Sequence, residues 1–319
     1  MSVVLQNPAR GEREAARPTV APRPRGGKGT ARRRDNVLGW ALSAPAAALL
    51  GLFFVLPLGL TVWMSFFDWP AFGPHTAVGT ENYQQIATDS KFRDAVVFTV
   101  LYTVVTSVLG LALSLALALL VRPRMRWRTG IRAMLFAPVT IGFAPAGLLW
   151  LSMSNSRTGV LPSLARDLGL ADQGTDWFAH AGSALAVVVV MTLWKTVGLA
   201  MLVLIIGMDA IPDDVYEAAQ LDGASAVSTL LRITLPLVRK PLSLVVLLTV
   251  STTFLSFDQF FTMTKGGPDN RTVSVVYYLY NAAFVGLDRG YAAAVAVVVV
   301  VVMAVISLPQ AWLQRGGAQ

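Results

Sequence analysis

The run SALAVVVVMTLWKTVGLAMLVLIIGM, residues 183–208, holds 26 residues and a single charge, Lys195. A helix rises about 1.5 Å per residue, so roughly 20 apolar residues cross a hydrocarbon core of about 30 Å. Five further stretches reach spanning length: 37–67, 95–121, 131–153, 242–263 and 291–313. The composition agrees. Of 319 residues, 55% are hydrophobic and 14% are charged, and the mean hydropathy is +0.59. Soluble domains carry about 25% charged residues, and a water-facing surface cannot be built from so few ions. The sequence therefore predicts an all-α polytopic membrane protein with six transmembrane helices over 37–319. A soluble enzyme with one large core is excluded. With no cysteine, so are a disulfide framework and a cysteine-ligated metal site. His75 and His180 lie apart in polar stretches, so no histidine metal site is expected either.

Run 131–153 contains Pro138, Gly142, Pro145 and Gly147 and should be kinked or broken. A break survives in lipid only where neighbouring helices or a wet cavity satisfy the freed backbone groups, which places the third span inside the bundle. Six spans put both termini on one side, and the basic residues choose it. Residues 1–36, the loop after span two (Arg122, Arg124, Arg126, Arg128, Arg132), the loop after span four (Arg232, Arg239, Lys240) and Arg315 hold 18 Lys and Arg. The opposite loops hold 7. By the positive-inside rule both termini are cytoplasmic, and the formal charge of +8 needs no nucleic acid. Residues 1–36, rich in Arg, Pro, Gly and Ala, read as a disordered basic cytoplasmic tail able to lie against anionic membrane lipid. The first apolar run is too long for the core of a cleaved signal peptide. Arg32 and Arg33 read as topology determinants rather than as a twin-arginine signal.

Between spans four and five, at 209–241, the chain reads Ile211-Pro-Asp-Asp-Val-Tyr-Glu-Ala-Ala-Gln-Leu-Asp-Gly-Ala224 and continues to Ile233-Thr-Leu-Pro236. Asp214 and Glu217 have capping-box spacing, so a helix is expected to start there, after Pro212 has broken the preceding span. Gly223 should interrupt or end it. Ala218, Ala219 and Ala224 offer small side chains to a closely approaching protein, and Glu217 offers charge to a cationic one. A second helix should begin near Ser225 and be stopped by Pro236. On the residues alone, an amphipathic helix resting at the membrane surface fits as well.

The order Glu217-Ala218-Ala219, Asp222-Gly223-Ala224, Ile233 and Leu235-Pro236 resembles the EAA loop in the membrane subunits of binding-protein-dependent ATP-binding-cassette importers. It departs from that loop at Leu230, where an aromatic is common, and in having Lys240 before Pro241. The likeness to sugar-type permeases extends through Gly79-Thr-Glu-Asn82-Tyr83, Phe92, Thr99, Trp194-Lys195, Gly198, Phe257-Asp258-Gln259 and Thr264. It continues through Gly266-Gly267-Pro268, Tyr280, Phe284 and Gly290-Tyr291-Ala292. The Gly-Gly-Pro element is similar to the type related to the larger maltose and the glycerol-phosphate A-type subunits. The resemblance implies the type I importer permease fold. In it the EAA loop forms a coupling helix that docks on an ATPase through Glu217, Ala218, Ala219, Asp222, Gly223, Ala224 and Pro236. The implied partners are a second permease in a heterodimer, two copies of the ATPase, which carry ATP and magnesium, and an extracytoplasmic binding protein meeting Gly266, Gly267 and Pro268. The implied place is a bacterial cytoplasmic membrane. The implied cargo is a sugar, polyol or glycerol-phosphate compound, moved by alternating access. This chain lacks a Gly-x-x-x-x-Gly-Lys-Ser/Thr phosphate loop, so it is expected to bind no cofactor and to be no enzyme of its own.

Charged and polar residues inside spans are costly and face a cavity or one another. Counting along the helices puts Lys195 about 21 Å above the cytoplasmic edge, in the outer half, and Asp258 near the outer interface. One reading has Trp194, Lys195, Phe257, Asp258, Gln259 and Tyr280 lining a cargo pathway, with aromatic faces for sugar rings and polar groups for hydroxyls. The others are a structural Lys195–Asp258 pair, or Lys195 snorkelling to the headgroups. A membrane-embedded transferase is the rival of another class. The acids Asp209, Asp213, Asp214, Glu217 and Asp222 would have to serve it, and their spacing suits capping and docking better than metal binding. A stand-alone secondary transporter would leave the EAA order unexplained.

Overall fold

The computed structural model describes residues 42–70, 72–122, 127–169 and 175–315, without the side chains of Arg128 and residues 310–315. The basic tail and Arg124 and Arg126 lie outside the described residues. The chain forms two units, Met1–Pro57 and Leu58–Gln319. In the first, residues 42–57 are helical, apolar and almost wholly exposed. They open helix α1 (Leu42–Met64). All that follows concerns the second unit.

Helix α1 stops at Met64, short of the expected Phe67, because the chain turns into a small antiparallel hairpin of β1 (Phe67–Asp68) and β2 (Thr76–Ala77). Asn82, in α2 (Glu81–Thr88), holds that turn by donating to the carbonyls of Ser65 and Phe67 at 2.9 and 3.0 Å. Helix α3 (Ser90–Val121) starts from an Asp89 cap, whose carboxylate accepts from the Lys91 amide at 2.8 Å. Its faces differ. Val97, Leu101, Val104 and Val108, at helical spacing, are half or more exposed, whereas Ala95, Thr99, Tyr102 and Thr106 are buried. A long exposed apolar stripe of this kind suits lipid and not water.

Span three is broken, as its prolines and glycines predict. Helix α4 (Arg128–Phe136) runs into a tight turn at Ala137–Thr140, and α5 (Phe143–Met153) leaves it at 102° to the helical stretch Thr129–Thr140. After α6 (Val160–Asp167) comes α7 (Ala181–Asp209), 29 residues long and flanked by α3, α4 and α10. The EAA loop supplies α8 (Asp213–Leu221) and α9 (Ala226–Leu237), and α10 (Arg239–Phe254) follows at a bend of 78°. The chain closes with α11 (Val275–Val285) and α12 (Arg289–Arg315).

Span five differs from its expected bounds of 242–263. Helix α10 ends at Phe254, and a separate wide turn at Phe260–Thr264 completes the stretch. No proline or glycine marks this break. Thr249 and Thr253 turn their hydroxyls back onto the carbonyls of Val245 and Thr249, both at 2.8 Å, a habit that bends helices. The freed Ser256 carbonyl is taken by the Ser274 hydroxyl at 2.7 Å, and Ser274 in turn caps α11. Among the described residues, four helices are long and apolar enough to cross a membrane, and six if each bent pair counts as one span. At the end of the bundle carrying residues 209–241, the EAA end, Met201, Leu204, Ile205, Met208, Ile211, Val238 and Val245 make one apolar core. The loop is thus packed onto the spans.

Candidate functional site

The break in span three leaves carbonyl oxygens without helical partners, and α7 supplies a donor. Lys195 sits at the midpoint of α7, 6% exposed, and its Nζ donates to the carbonyl of Val139 at 3.4 Å and to that of Ile141. The same ammonium lies 4.6 Å from the ring centre of Phe143. One cation therefore holds the carbonyl-rich end of the α4 half, where the helix dipole is negative, and the first residue of α5. Gly198 lies a turn further along α7, where a Cβ would stand 2.0 Å from the Leu135 carbonyl oxygen. Only glycine allows this approach.

These contacts decide against two of the alternatives for Lys195, which lies 14 residues before the end of α7 at Asp209. It forms no ion pair with Asp258, and it is too buried to snorkel. Beside it is a cavity of about 220 Å³ between the broken span, α7 and α10. Its walls include Val139, Phe143, Leu199, Val203, Val245 and Leu248, with Lys195, Thr196, Thr249, Thr252 and Thr253 as the polar members. Thr196, Thr249 and Thr253 spend their hydroxyl protons on carbonyls of their own helices, at 2.7, 2.8 and 2.8 Å. Their oxygens remain acceptors. Apolar walls, one ring face and hydroxyl acceptors suit a polyhydroxylated guest.

The other expected pathway residues do not share this cavity. Gln259 is buried and donates to the Tyr102 hydroxyl at 3.1 Å, which bonds the Thr192 hydroxyl at 2.8 Å, so it ties the span-five break to α3 and α7. Phe257 and Tyr280 belong to an aromatic cluster with Phe261, Tyr277 and Phe284, with ring centres 5.1–6.4 Å apart. Trp194 is 36% exposed and packs on Trp150 at 5.9 Å. Asp258 is half-buried, and its backbone carbonyl accepts from Thr262 at 2.7 Å. The cause is the unwinding after Phe254, which breaks the helical register assumed for 257–259. Thr249, Thr252 and Thr253 fall within about one turn, but the run also holds Ser243, Ser251 and Ser256, so the sequence does not set the threonines apart.

At the EAA end, α8 has two faces. Asp213, Asp214, Glu217, Ala218 and Gln220 are exposed, and Leu221 is 89% exposed, while Val215 and Tyr216 are half-buried and Ala219 is buried. Two expectations change. No capping box forms: Pro212 precedes the helix without a side-chain cap, and Asp213 and Asp214 lie in the first turn, near its positive dipole end. Ala219 points into the bundle, so its small size serves packing at home. Gly223 does end the helix, at φ +72°, with open space around it, so glycine is needed for backbone conformation rather than room. Asp222 is exposed and Ala224 half-buried just beyond it. Ser225 caps α9 by accepting from the Ser228 amide at 3.3 Å, and the exposed Pro236 sits in the last turn of α9, one residue before its end.

Residues 130–317 match the family described as binding-protein-dependent transport system inner membrane component. The chain belongs to this family. The permease is 30% identical over 280 residues to a probable ABC transporter permease protein, YurN, of Bacillus subtilis, covering 87% of this chain and 96% of that one. It is 32% identical over 273 residues to the sn-glycerol-3-phosphate transport system permease protein UgpA of Brucella suis, covering 84% and 92%. The multiple sugar-binding transport system permease protein MsmF of Streptococcus mutans is 28% identical over 278 residues, covering 87% and 95%. Among solved structures, a bacterial ABC transporter involved in import of the acidic polysaccharide alginate has a chain of the same fold. Its TM-score is 0.76 at 20% identity, over 90% of this chain and 98% of that one. The permease thus has the importer-permease fold, is membrane-embedded and multi-pass, and is a transport subunit.

At the opposite end of the permease, Gly266, Gly267 and Pro268 form a compact turn. The Gly266 and Gly267 carbonyls accept from the Thr272 amide and hydroxyl at 3.1 and 2.6 Å. Nearby, burial raises the pKa of the Asp89 carboxyl, but bonds from the Tyr278 and Tyr291 hydroxyls and the Lys91 and Phe92 amides outweigh it, leaving Asp89 below the ordinary carboxylate range. The Tyr278 hydroxyl is pushed up to about 12, first by burial and then by its bond to Asp89.

Proposed function

We propose that this permease is one half of the channel of an ATP-driven importer for a carbohydrate or a related polyol or glycerol-phosphate compound, with both termini in the cytoplasm of a bacterium. The observation that carries the reading is the cavity beside Lys195, with its apolar walls and threonine acceptors. The names of the relatives, which concern multiple sugars and sn-glycerol 3-phosphate, point the same way. A second permease completes the channel, and an extracytoplasmic binding protein delivers cargo at the face of Gly266, Gly267 and Pro268. Two ATPase copies hold ATP and magnesium, and this chain holds no cofactor.

Energy enters through α8. Glu217, Ala218, Leu221 and Asp222 present an acidic and apolar surface outside the bundle, and Gly223 and Pro236 shape its continuation. ATP-driven closure of the ATPases moves this helix, and the packed core under the loop carries the movement to the spans. The test is co-purification with the partner ATPase, followed by thermal shifts of the partner binding protein against mono- and oligosaccharides, polyols and sn-glycerol 3-phosphate. A stable complex and a shift with one of these compounds are expected. A permease that purifies alone, or a binding protein that responds to none of them, overturns the reading.

A further inference from the structure

Arg122, the residue after α3, meets two further elements, α7 and α8, at once. Its Nη2 donates to the carbonyl of Met208 at 3.2 Å, its Nε stands 3.7 Å from the Asp209 carboxylate, and its guanidinium carbon lies 4.5 Å from the ring centre of Tyr216. Met208 and Asp209 end α7, and Tyr216 lies on the inward side of α8. The Tyr216 hydroxyl is 3.4 Å from that of Thr234 on α9. A link from α8 to the end of span two therefore runs through this guanidinium. Its fork grips the carbonyl and carboxylate at the negative end of α7, while its flat face takes the ring, a combination that an ammonium cannot reproduce.

We infer that Arg122 is a positioning residue that makes the end of span two move with α8 when the ATPases close. The inference rests on the proposed function, since it presumes that α8 is driven. It assigns the transmission to a residue outside the EAA loop, at the end of span two.

The absence of native cysteine makes a distance test clean. Nitroxide pairs are placed at Asp213 with Val97, joining α8 to α3, and at Asp213 with Leu164, joining α8 to α6. The assembled complex with its ATPase is measured by pulsed electron resonance, with and without ATP and vanadate. In the parent, the α8–α6 distance should change by on the order of 2 Å or more, while the α8–α3 distance holds. In Arg122→Gln, the α8–α3 distance should shift as well, because only the apolar core under the loop then ties α8 to span two. Tyr216→Leu should behave like Arg122→Gln, and Tyr216→Phe, which keeps the ring, should restore the fixed distance. An α8–α3 distance that still holds in Arg122→Gln while α8–α6 changes overturns the inference and spares the proposed function. If α8–α6 does not change in the parent, the driven role of α8 fails, and the inference with it. Should Arg122→Gln not assemble, the two Tyr216 variants decide alone.

Discussion

Lys195→Met would leave the part-buried carbonyls of Val139 and Ile141 without that donor. An unsatisfied buried group costs about 1–3 kcal/mol, so thermal unfolding of the purified complex should show a clear loss of stability. Lys195→Gln retains a donor and should recover part of it. Adding Asp258→Asn to Lys195→Met should recover nothing, since the two residues are not a pair; recovery would reinstate one. Gly198→Ala pushes a methyl into a backbone oxygen that cannot swing aside. It should destabilise by about 1–3 kcal/mol or more, seen as reduced yield and unfolding temperature. A lysine in an apolar run marks a costly group, and so it was singled out from sequence alone. Its partners could not be read there. They are backbone oxygens released by a break some 55 positions away, and backbone oxygens leave no signature in a sequence.

At the scale of elements, the joint between α3, α11 and α12 is held by Asp89 with Tyr278 and Tyr291. A carboxyl whose folded pKa lies below its ordinary value, 3.8, contributes stability that is present above that value and lost as pH falls through the lowered one. Asp89→Asn should therefore lower the unfolding temperature at pH 7 and flatten its fall below about pH 4. An unchanged profile would mean that the joint bears no load. Sidedness belongs to this scale too. A single cysteine at Thr129 should be shielded from an impermeant thiol reagent in intact cells, while one at Ser163 or Asn270 should be labelled; the reverse pattern would invert the proposed orientation. The hydropathy pattern was sufficient for the spans, and Pro138 and Gly142 foretold the break in the third. The break in the fifth was not legible, because serine and threonine bend a helix only when their hydroxyls turn back on it. That choice is made by the surrounding packing.

For the whole molecule, function depends on joining the α8 surface to the cavity. Glu217→Lys should leave a folded permease whose complex no longer shows ATPase stimulation by the loaded binding protein; wild-type stimulation would move the docking surface elsewhere. Thr249→Val with Thr252→Val removes acceptors from the cavity wall at nearly constant shape. Uptake should fall roughly five- to 150-fold, as for 1–3 kcal/mol, with basal ATPase activity retained. Full uptake would take the cavity off the cargo path. The EAA order could be read at once because docking is written in contiguous residues. The cavity could not, since it draws residues from a broken span, α7 and α10, and only the fold brings them together.

The clamp of Lys195 on the broken third span also bears on how the chain is made. Neither half of that span is long enough to be left in a bilayer as a finished helix. Span four carries a cation at its centre, where insertion costs about 2.5–3.5 kcal/mol. The apolar length of span four outweighs that cost, so the broken span is the poor client for the insertion machinery, and Lys195 supplies the donor it lacks. Spans three and four should therefore leave the translocon as a pair. A nascent chain arrested once Met153 has emerged should be accessible to membrane proteases, and one arrested once Gly198 has emerged should be protected.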